Sequence, residues 1–290
     1  MIFALSDTHL SFNSNKPMDK FGSIWHKHPD KIRQNCLDKT QDDDILLLPG
    51  DLSWASKLEQ AKQDLAFLAA IPGSKILLRG NHDYWWSTLN KMRNLAQAEN
   101  WSSLYFMQNN AYLISQARAY ADRQISAKYP LIYASDTLLR ANLAEQAAAI
   151  KEVERAKLNK HKFYLLIGCK GYLLKPEFND QHDAELAYRE FQRLTYSYEQ
   201  GLLLLEMLKL VPSELELIGL SHYPPLLKTY QTSKYTQFYQ ELAAIFKQVH
   251  VLYGHLHGLG IKEAFTGEKA NIKYSLVSAD ALSFAPLEVR

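Results

Sequence analysis

The sequence predicts an α/β protein whose sheet is covered by helices. Apolar runs of strand length recur along the 290-residue chain, and helix-period segments lie between the early ones. Those runs are near-continuously apolar rather than alternating, as strands buried on both faces are. Hydrophobic content of 47% with 22% charged residues fits an ordinary globular protein. A chain of this size buries about 75% of the surface it exposes when unfolded.

The strand-like runs appear in order as Ile2-Phe3-Ala4-Leu5, Ile45-Leu46-Leu47-Leu48, Ile76-Leu77-Leu78, residues 163–167, 215–220, 249–253 and 272–277. After the second, Ser56-Lys57-Leu58-Glu59 has the form of a capping box, and Leu58, Ala61, Leu65 and Leu68 follow at helical spacing. In the middle, Ser135-Asp136-Thr137 predicts a helix start, with Leu139, Leu143, Ala147, Ile150 and Val153 on one face. A second long helix is expected over 180–209, carrying Ala184, Ala187, Phe191, Leu194, Tyr198, Leu202 and Leu205. With no repeat or linker evident, the expectation is one domain over 1–290 with an inserted, mostly helical, cap-like segment at about 115–162. That segment holds nine Lys/Arg against five Asp/Glu. It reads as a solvated helix face, with a basic rim for an anionic substrate as the sharper alternative.

Several function classes are disfavoured. The net charge of +2 is too balanced to indicate nucleic acid or a membrane surface. Cys36 and Cys169 are the only cysteines and lie far apart, so neither a disulfide framework nor a thiolate metal site is expected. The N-terminal Met-Ile-Phe-Ala-Leu-Ser-Asp lacks a basic region, and no stretch reaches the roughly 20 apolar residues of a membrane span. The expectation is a soluble, cytoplasmic protein.

The chemistry gathers where the strand runs end. The first ends in Ser6-Asp7-Thr8-His9, the second in Pro49-Gly50-Asp51 and the third in Arg79-Gly80-Asn81-His82-Asp83. The 215–220 run ends in Ser221-His222-Tyr223, and the 249–253 run in Gly254-His255-Leu256-His257. In α/β sheets that edge is where ligands bind. Asp7 and His9, like His255 and His257, stand at i and i+2, the spacing that points two side chains the same way in extended backbone. A set of carboxylates, an amide and imidazoles without thiolate suits Mn, Fe or Zn better than Mg or Ca. Seven candidates, Asp7, His9, Asp51, Asn81, His222, His255 and His257, are too many for one ion and make sense as two sites sharing a carboxylate. Two such ions about 3.5–4 Å apart activate a bridging water for in-line displacement at phosphorus. His82, beside a ligand and followed by Asp83, is placed to donate to a leaving oxygen.

The order Asp-x-His, Gly-Asp, Gly-Asn-His-Asp, His, Gly-His-x-His resembles the calcineurin-like metallophosphoesterase superfamily, with motifs spread from residue 7 to 257. The resemblance implies a four-layer αββα sandwich of two mixed sheets flanked by helices. It implies that Asp7, His9 and His257 hold one divalent metal, that Asn81, His222 and His255 hold the other, and that Asp51 bridges them. It also implies that His82 contacts the phosphate, Asp83 orients it, and a metal-bridging hydroxide attacks a phosphate ester directly. The substrate would be a phosphorylated small molecule or a phosphodiester such as a cyclic nucleotide; a non-catalytic scaffold on the same fold is the alternative from another class. Asp51-Leu52-Ser53-Trp54 and Asn81-His82-Asp83-Tyr84-Trp85-Trp86 are similar to a bacterial group of predicted phosphohydrolases. That group implies a Gly-Thr-Arg-Gly-Trp-like stretch, where this chain has Gly168-Cys169-Lys170-Gly171-Tyr172. Lysine there would supply charge without a bidentate fork.

Beyond the motifs, Trp54, Tyr84, Trp85, Trp86 and Tyr223 read either as pocket walls or as core. His26, His28, His161, His182 and His250 read as ordinary, and Asp42-Asp43-Asp44 as a solvated turn.

Overall fold

The structure is a computed structural model that describes residues 1–116, 130–172, 181–229 and 232–289. Its first sheet contains β1 (Ile2–Ala4), β2 (Ile45–Pro49), β3 (Ser74–Leu78) and β4 (Leu104–Met107). These run parallel, and the late strand Leu287–Glu288 pairs antiparallel along the free edge of β1. The second sheet is built on β5 (Tyr112–Gln116), β6 (Ile132–Ala134), β7 (Lys162–Cys169), β8 (Glu216–Ser221), β9 (Gln248–Tyr253), β10 (Gly267–Lys269) and β11 (Ile272–Leu276). Its order is β10-β11-β9-β8-β7-β5-β6, with the β11-β9, β9-β8 and β8-β7 pairings parallel and the β10-β11, β7-β5 and β5-β6 pairings antiparallel.

The alternation of side chains explains why both faces of each sheet are covered. Ile2, Ala4, Ile45, Leu47, Ile76 and Leu78 of the first sheet meet Tyr112, Ile114, Leu166, Ile218 and Leu252 of the second in one inner core. Their neighbours in sequence point outward. Phe3, Leu46, Leu48 and Leu77 lie beneath α1 (His28–Lys39), α2 (Lys62–Ala69) and α3 (Leu89–Ala98). Leu113, Leu165, Leu217 and Val249 lie beneath α5 (Leu143–Leu158), α6 (Gln181–Met207) and α7 (Lys234–Ala243), which follow the one-turn α4 (Ser135–Leu138). The result is two mixed sheets flanked by helices. Emptying one inner-core position, as in Leu47→Ala, removes about 2–5 kcal/mol. At Gly201 of α6 an added Cβ would stand 3.0 Å from Leu165, so this glycine lets the helix lie close on β7. Among the described residues no helix is long and apolar enough to cross a membrane.

Three local expectations are corrected. The helix expected after Ser56 starts later, at Lys62, because the Gln60 side chain accepts from the Ser56 amide and donates to the Asn13 carbonyl, holding 56–61 as turns. The helix expected from Ser135 through Val153 breaks after α4 and restarts at Asn142, whose side chain and Glu145 form a reciprocal capping box. The buried face of α5 is therefore Ala149, Val153 and Ala156, and Leu143 is 84% exposed. Asp44 is buried, not solvated, and accepts from the Gln41 amide. Of the 115–162 segment the structure describes β6, α4 and α5, while 117–129 lie outside the described residues.

Candidate metal centre

Because β1, β2 and β3 are parallel, and so are β7, β8 and β9, the loops after all of them gather on one side of the sandwich. Backbone hydrogen bonds tie these loops together. Asp7 N donates to Gly50 O (2.9 Å), His9 N to Asp51 O (3.0 Å) and Gly254 N to His222 O (3.1 Å). Four candidate ligands take left-handed backbone: Asp7 (φ 57°), His9 (φ 44°), Asp51 (φ 52°) and His255 (φ 72°). For residues with a Cβ this is uncommon, costs on the order of 1 kcal/mol each, and clusters at functional sites. Glycines make the close approach possible. A Cβ at Gly80 would collide with Asp51, and one at Gly254 with the carboxylate of Asp7.

The structure brings all seven candidates together. His257 Nε2 lies 3.1 Å from Asp7 Oδ1 and 3.3 Å from His9 Nε2. Asn81 Oδ1 lies 2.7 Å from His222 Nε2 and 3.0 Å from His255 Nδ1. Asp51 Oδ2 faces His222 Nε2 at 3.4 Å and His9 Nε2 at 3.8 Å, one histidine from each side. Asp7, His9 and His257 bring ligand atoms within 4.8 Å of one another, and so do Asp7, Asp51 and His222. The two imidazoles of Gly254-His255-Leu256-His257 thus meet different neighbours.

Burial and pairing divide the charges. Burial lowers the pKa of His9 and of His255 to about 4, in spite of the nearby carboxylates. Burial also opposes the charged form of His222, but Asp51 outweighs it and holds the ring at about 9. His257 is likewise lifted against burial to about 10, by Asp7 and Asp280. Burial would raise the two carboxylates, yet His257 holds Asp7 far below its usual range and His222 holds Asp51 at about 2. The centre is a set of ionised carboxylates facing imidazoles.

His82 sits at the rim, half-buried, with its backbone amide donating to Asp51 Oδ1 (2.7 Å). Its Nδ1 is buried without a hydrogen-bond partner. Burial lowers its pKa, against the pull of Asp51. Asp83 points away into the fold. Its Oδ1 accepts from Leu52 N, Ser53 N and Trp85 Nε1, and its Oδ2 from Gly80 N, so it clamps the second motif loop to the third. Burial and the nearby Asp51 push its pKa up to about 6.

Around these residues lies an aromatic collar. Trp54 stacks on His9 (centroids 4.9 Å, 19°) and packs on His82 at 4.4 Å, while Tyr223 packs on His255 at 4.2 Å. Tyr84 stands exposed beyond His82, whereas Trp85 and Trp86 pack into the core of the first sheet. His26 and His182 are exposed, and His161 and His250 bond to Ser115 and Ser275, away from the centre. His28 sits one ring back, behind Trp25.

Two neighbours escape a motif reading. Asp280 Oδ1 lies 2.8 Å from His257 Nδ1 and its Oδ2 accepts from Gly258 N (3.0 Å), an arrangement that fixes the ring with Nε2 turned inward. Its signal is faint: it stands four residues past the last apolar strand, singly. Trp25 meets His9 and His257 edge-on at 5.9 and 5.6 Å from the end of a short 3-10 helix, Ser23–Trp25, where nothing in the sequence marks it.

The donor set fits divalent metal. Nitrogens of His9 and His257 face each other at 3.3 Å, and Asn81 Oδ1 lies within hydrogen-bond distance of two imidazoles, so nitrogen and oxygen donors of a metal-ligating kind converge at one place. His9 Nδ1 is also buried and unpartnered. A cation with oxygen and nitrogen preference satisfies such a set, displacing the protons on His222 and His257.

In solved structures the chain resembles three proteins of low identity. A protein of unknown function from Aquifex aeolicus is 14% identical with a TM-score of 0.39, covering 99% of this chain and 94% of that one. The phosphopantetheinyl hydrolase of Mycobacterium tuberculosis is 16% identical at 0.41, covering 96% and 88%. The protein TT1561 of Thermus thermophilus is 14% identical at 0.42, covering 88% and 81%. No curated protein matches in sequence. The sequence model of the calcineurin-like phosphoesterase family matches residues 1–259, which takes in every motif loop described above. The chain therefore belongs to the calcineurin-like phosphoesterase family and is a metal-dependent phosphoester hydrolase.

Proposed function

We propose that the chain hydrolyses a phosphate monoester at a dinuclear centre. Asp7, His9 and His257 would hold one ion, Asn81, His222 and His255 the other, with Asp51 between them. The observation that carries this reading is the position of Asp51 Oδ2, which faces His9 at 3.8 Å and His222 at 3.4 Å. When bound, two divalent ions, with Mn, Fe and Zn the best suited, supply Lewis acidity toward a phosphoryl oxygen and a nucleophilic water at neutral pH.

The chain's own residues do the rest. His222 Nδ1 is tied to the Pro49 carbonyl (3.1 Å) and His257 Nδ1 to Asp280, so each presents Nε2 inward. His82 offers a ring N–H to a phosphoryl oxygen and then to the departing alcohol oxygen, which needs a proton when its bond to phosphorus breaks. Asp83 holds the backbone that carries His82 by bonding Gly80, Leu52 and Ser53. Trp54, Trp25 and Tyr223 wall the centre against bulk water, which strengthens each electrostatic contact inside.

The test pairs metal analysis of purified protein with hydrolysis of chromogenic monoester and diester substrates in added Mn. Close to two ions per chain and Mn-stimulated monoester turnover are expected. Faster diester turnover would turn the reading to a phosphodiesterase. Fewer than one ion per chain without stimulated hydrolysis would leave a scaffold.

A further inference from the structure

Beside the Asn81–His222–His255 side of the centre stand two cations that no carboxylate among the described residues ion-pairs. Arg79 directly follows β3 and precedes Gly80-Asn81; it is half-buried, and its Nε is enclosed without a hydrogen-bond partner. Lys170 directly follows β7 and is also half-buried. Among the described residues neither side chain makes a hydrogen bond or an ion pair, and Lys170 Nζ rests 5.9 Å from the centroid of the Tyr223 ring. Buried or half-buried cations are ordinarily paired, because burial without a partner costs free energy.

Their neighbourhood is positive. Lys170 senses Arg79, Arg193 and Glu190, and burial lowers its pKa. Glu190 is the one carboxylate in that group. Its Oε1 lies 3.4 Å from Arg193, and its Oε2 is buried without a partner. Three cations therefore surround one carboxylate. The group is joined firmly to the centre. The Lys170 carbonyl accepts from His222 N (3.1 Å) and Tyr223 N (2.9 Å), and the Tyr223 ring packs on His255 at 4.2 Å.

We infer that Arg79 and Lys170 form an anion subsite for a second phosphate of the substrate, beyond the phosphoryl group held at the centre. The substrate class is a phosphate ester carrying a further phosphate within a few bonds of the reacting one. Arg79 supplies a planar fork that suits phosphate oxygens, and Lys170 a point charge that follows the ligand. The subsite rests on the reading of the centre given above, and it adds no chemical step to the hydrolysis.

The test compares methylphosphonate with methylenediphosphonate, both as competitive inhibitors of chromogenic monoester hydrolysis and as calorimetric titrants of Mn-loaded protein. Excess Mn is kept the same throughout, so chelation in solution is common to every variant. Wild type should prefer the diphosphonate by about tenfold or more, and Arg79→Gln or Lys170→Gln should each cut that preference several-fold. The double variant should lose it, and Lys170→Arg should keep most of it. A wild-type preference under about twofold, or one that survives in the double variant, overturns the subsite. Should Arg79→Gln not fold, Lys170→Gln and Lys170→Arg carry the same contrast. Lost preference with metal content and hydrolysis intact counts on the subsite alone, whereas absent metal and hydrolysis count against the dinuclear reading.

Discussion

The two ends of the first sheet treat buried polar groups in opposite ways. At the N-terminal ends of its strands, Lys75 is wholly buried, yet its ammonium donates to the carbonyls of Ala69, Ile71 and Gly73 at 3.2, 2.6 and 2.7 Å. Three protons meet three acceptors, and the node is closed. At the C-terminal ends, His9 faces His257 at 3.3 Å, two imidazoles meet Asn81 Oδ1, and the Nδ1 atoms of His9 and His82 are buried without a partner. Burial alone therefore does not mark a functional site. A closed node holds the fold together, and an open one calls for a ligand.

The comparison breaks first at Asp51. Asp51→Asn should lower Mn-dependent turnover by about a thousandfold or more and reduce bound metal, since a shared charge is lost at the heart of the open node. Turnover and metal content within a few-fold of wild type would remove Asp51 from the centre. His82→Ala should cost about 10²–10⁴ in turnover while metal content stays at the wild-type level. Unchanged turnover would sink its role as donor.

Smaller effects sharpen the contrast. Asp280→Asn should weaken metal affinity by about 10–100-fold, read by competition with a chelator, because His257 loses the carboxylate that fixes its tautomer. Lys75→Met should leave metal affinity as it is but cost about 1–3 kcal/mol in denaturant unfolding, since three carbonyls lose their donor. The same residue predicts a pH slope. Burial lowers its folded pKa to about 8, against an unfolded value of about 10.4. Between those values the unfolded chain binds more protons, so the contribution of Lys75 raises stability as pH climbs through the window. The difference in unfolding free energy between wild type and Lys75→Met should widen from pH 8 to pH 10; a constant difference would place the lysine in water.

Much of the candidate centre was legible because its residues are local to strand ends. Asp7, Asp51, Asn81, His222 and His255 each stand one to three residues past an apolar run, where a parallel sheet must turn. Asp280 follows such a run too, but a single carboxylate after Ser278-Ala279 has no partner until His257 is brought beside it. The helix boundaries failed for a different reason. Ser56 and Ser135 both open helix-like patterns; the Gln60 side chain delays the first start to Lys62, while the second helix does start at Ser135 but breaks and restarts behind the Asn142 cap.

By itself the sequence determined the kinds of layer and the kinds of chemistry. Apolar runs of this length demand burial on both faces, and Asp, Asn and His without thiolate at their ends restrict the site to oxygen and nitrogen ligands. The tertiary structure decided which lone pairs meet. Left-handed turns at Asp7, His9, Asp51 and His255 aim the side chains, and glycines at 80 and 254 let the loops close upon them. It also placed Arg79 beside Lys170, residues from two different sheets, because both strands end at the same edge of the sandwich. Spacing along a chain carries neither result, since both depend on backbone torsions and on packing between segments far apart in sequence.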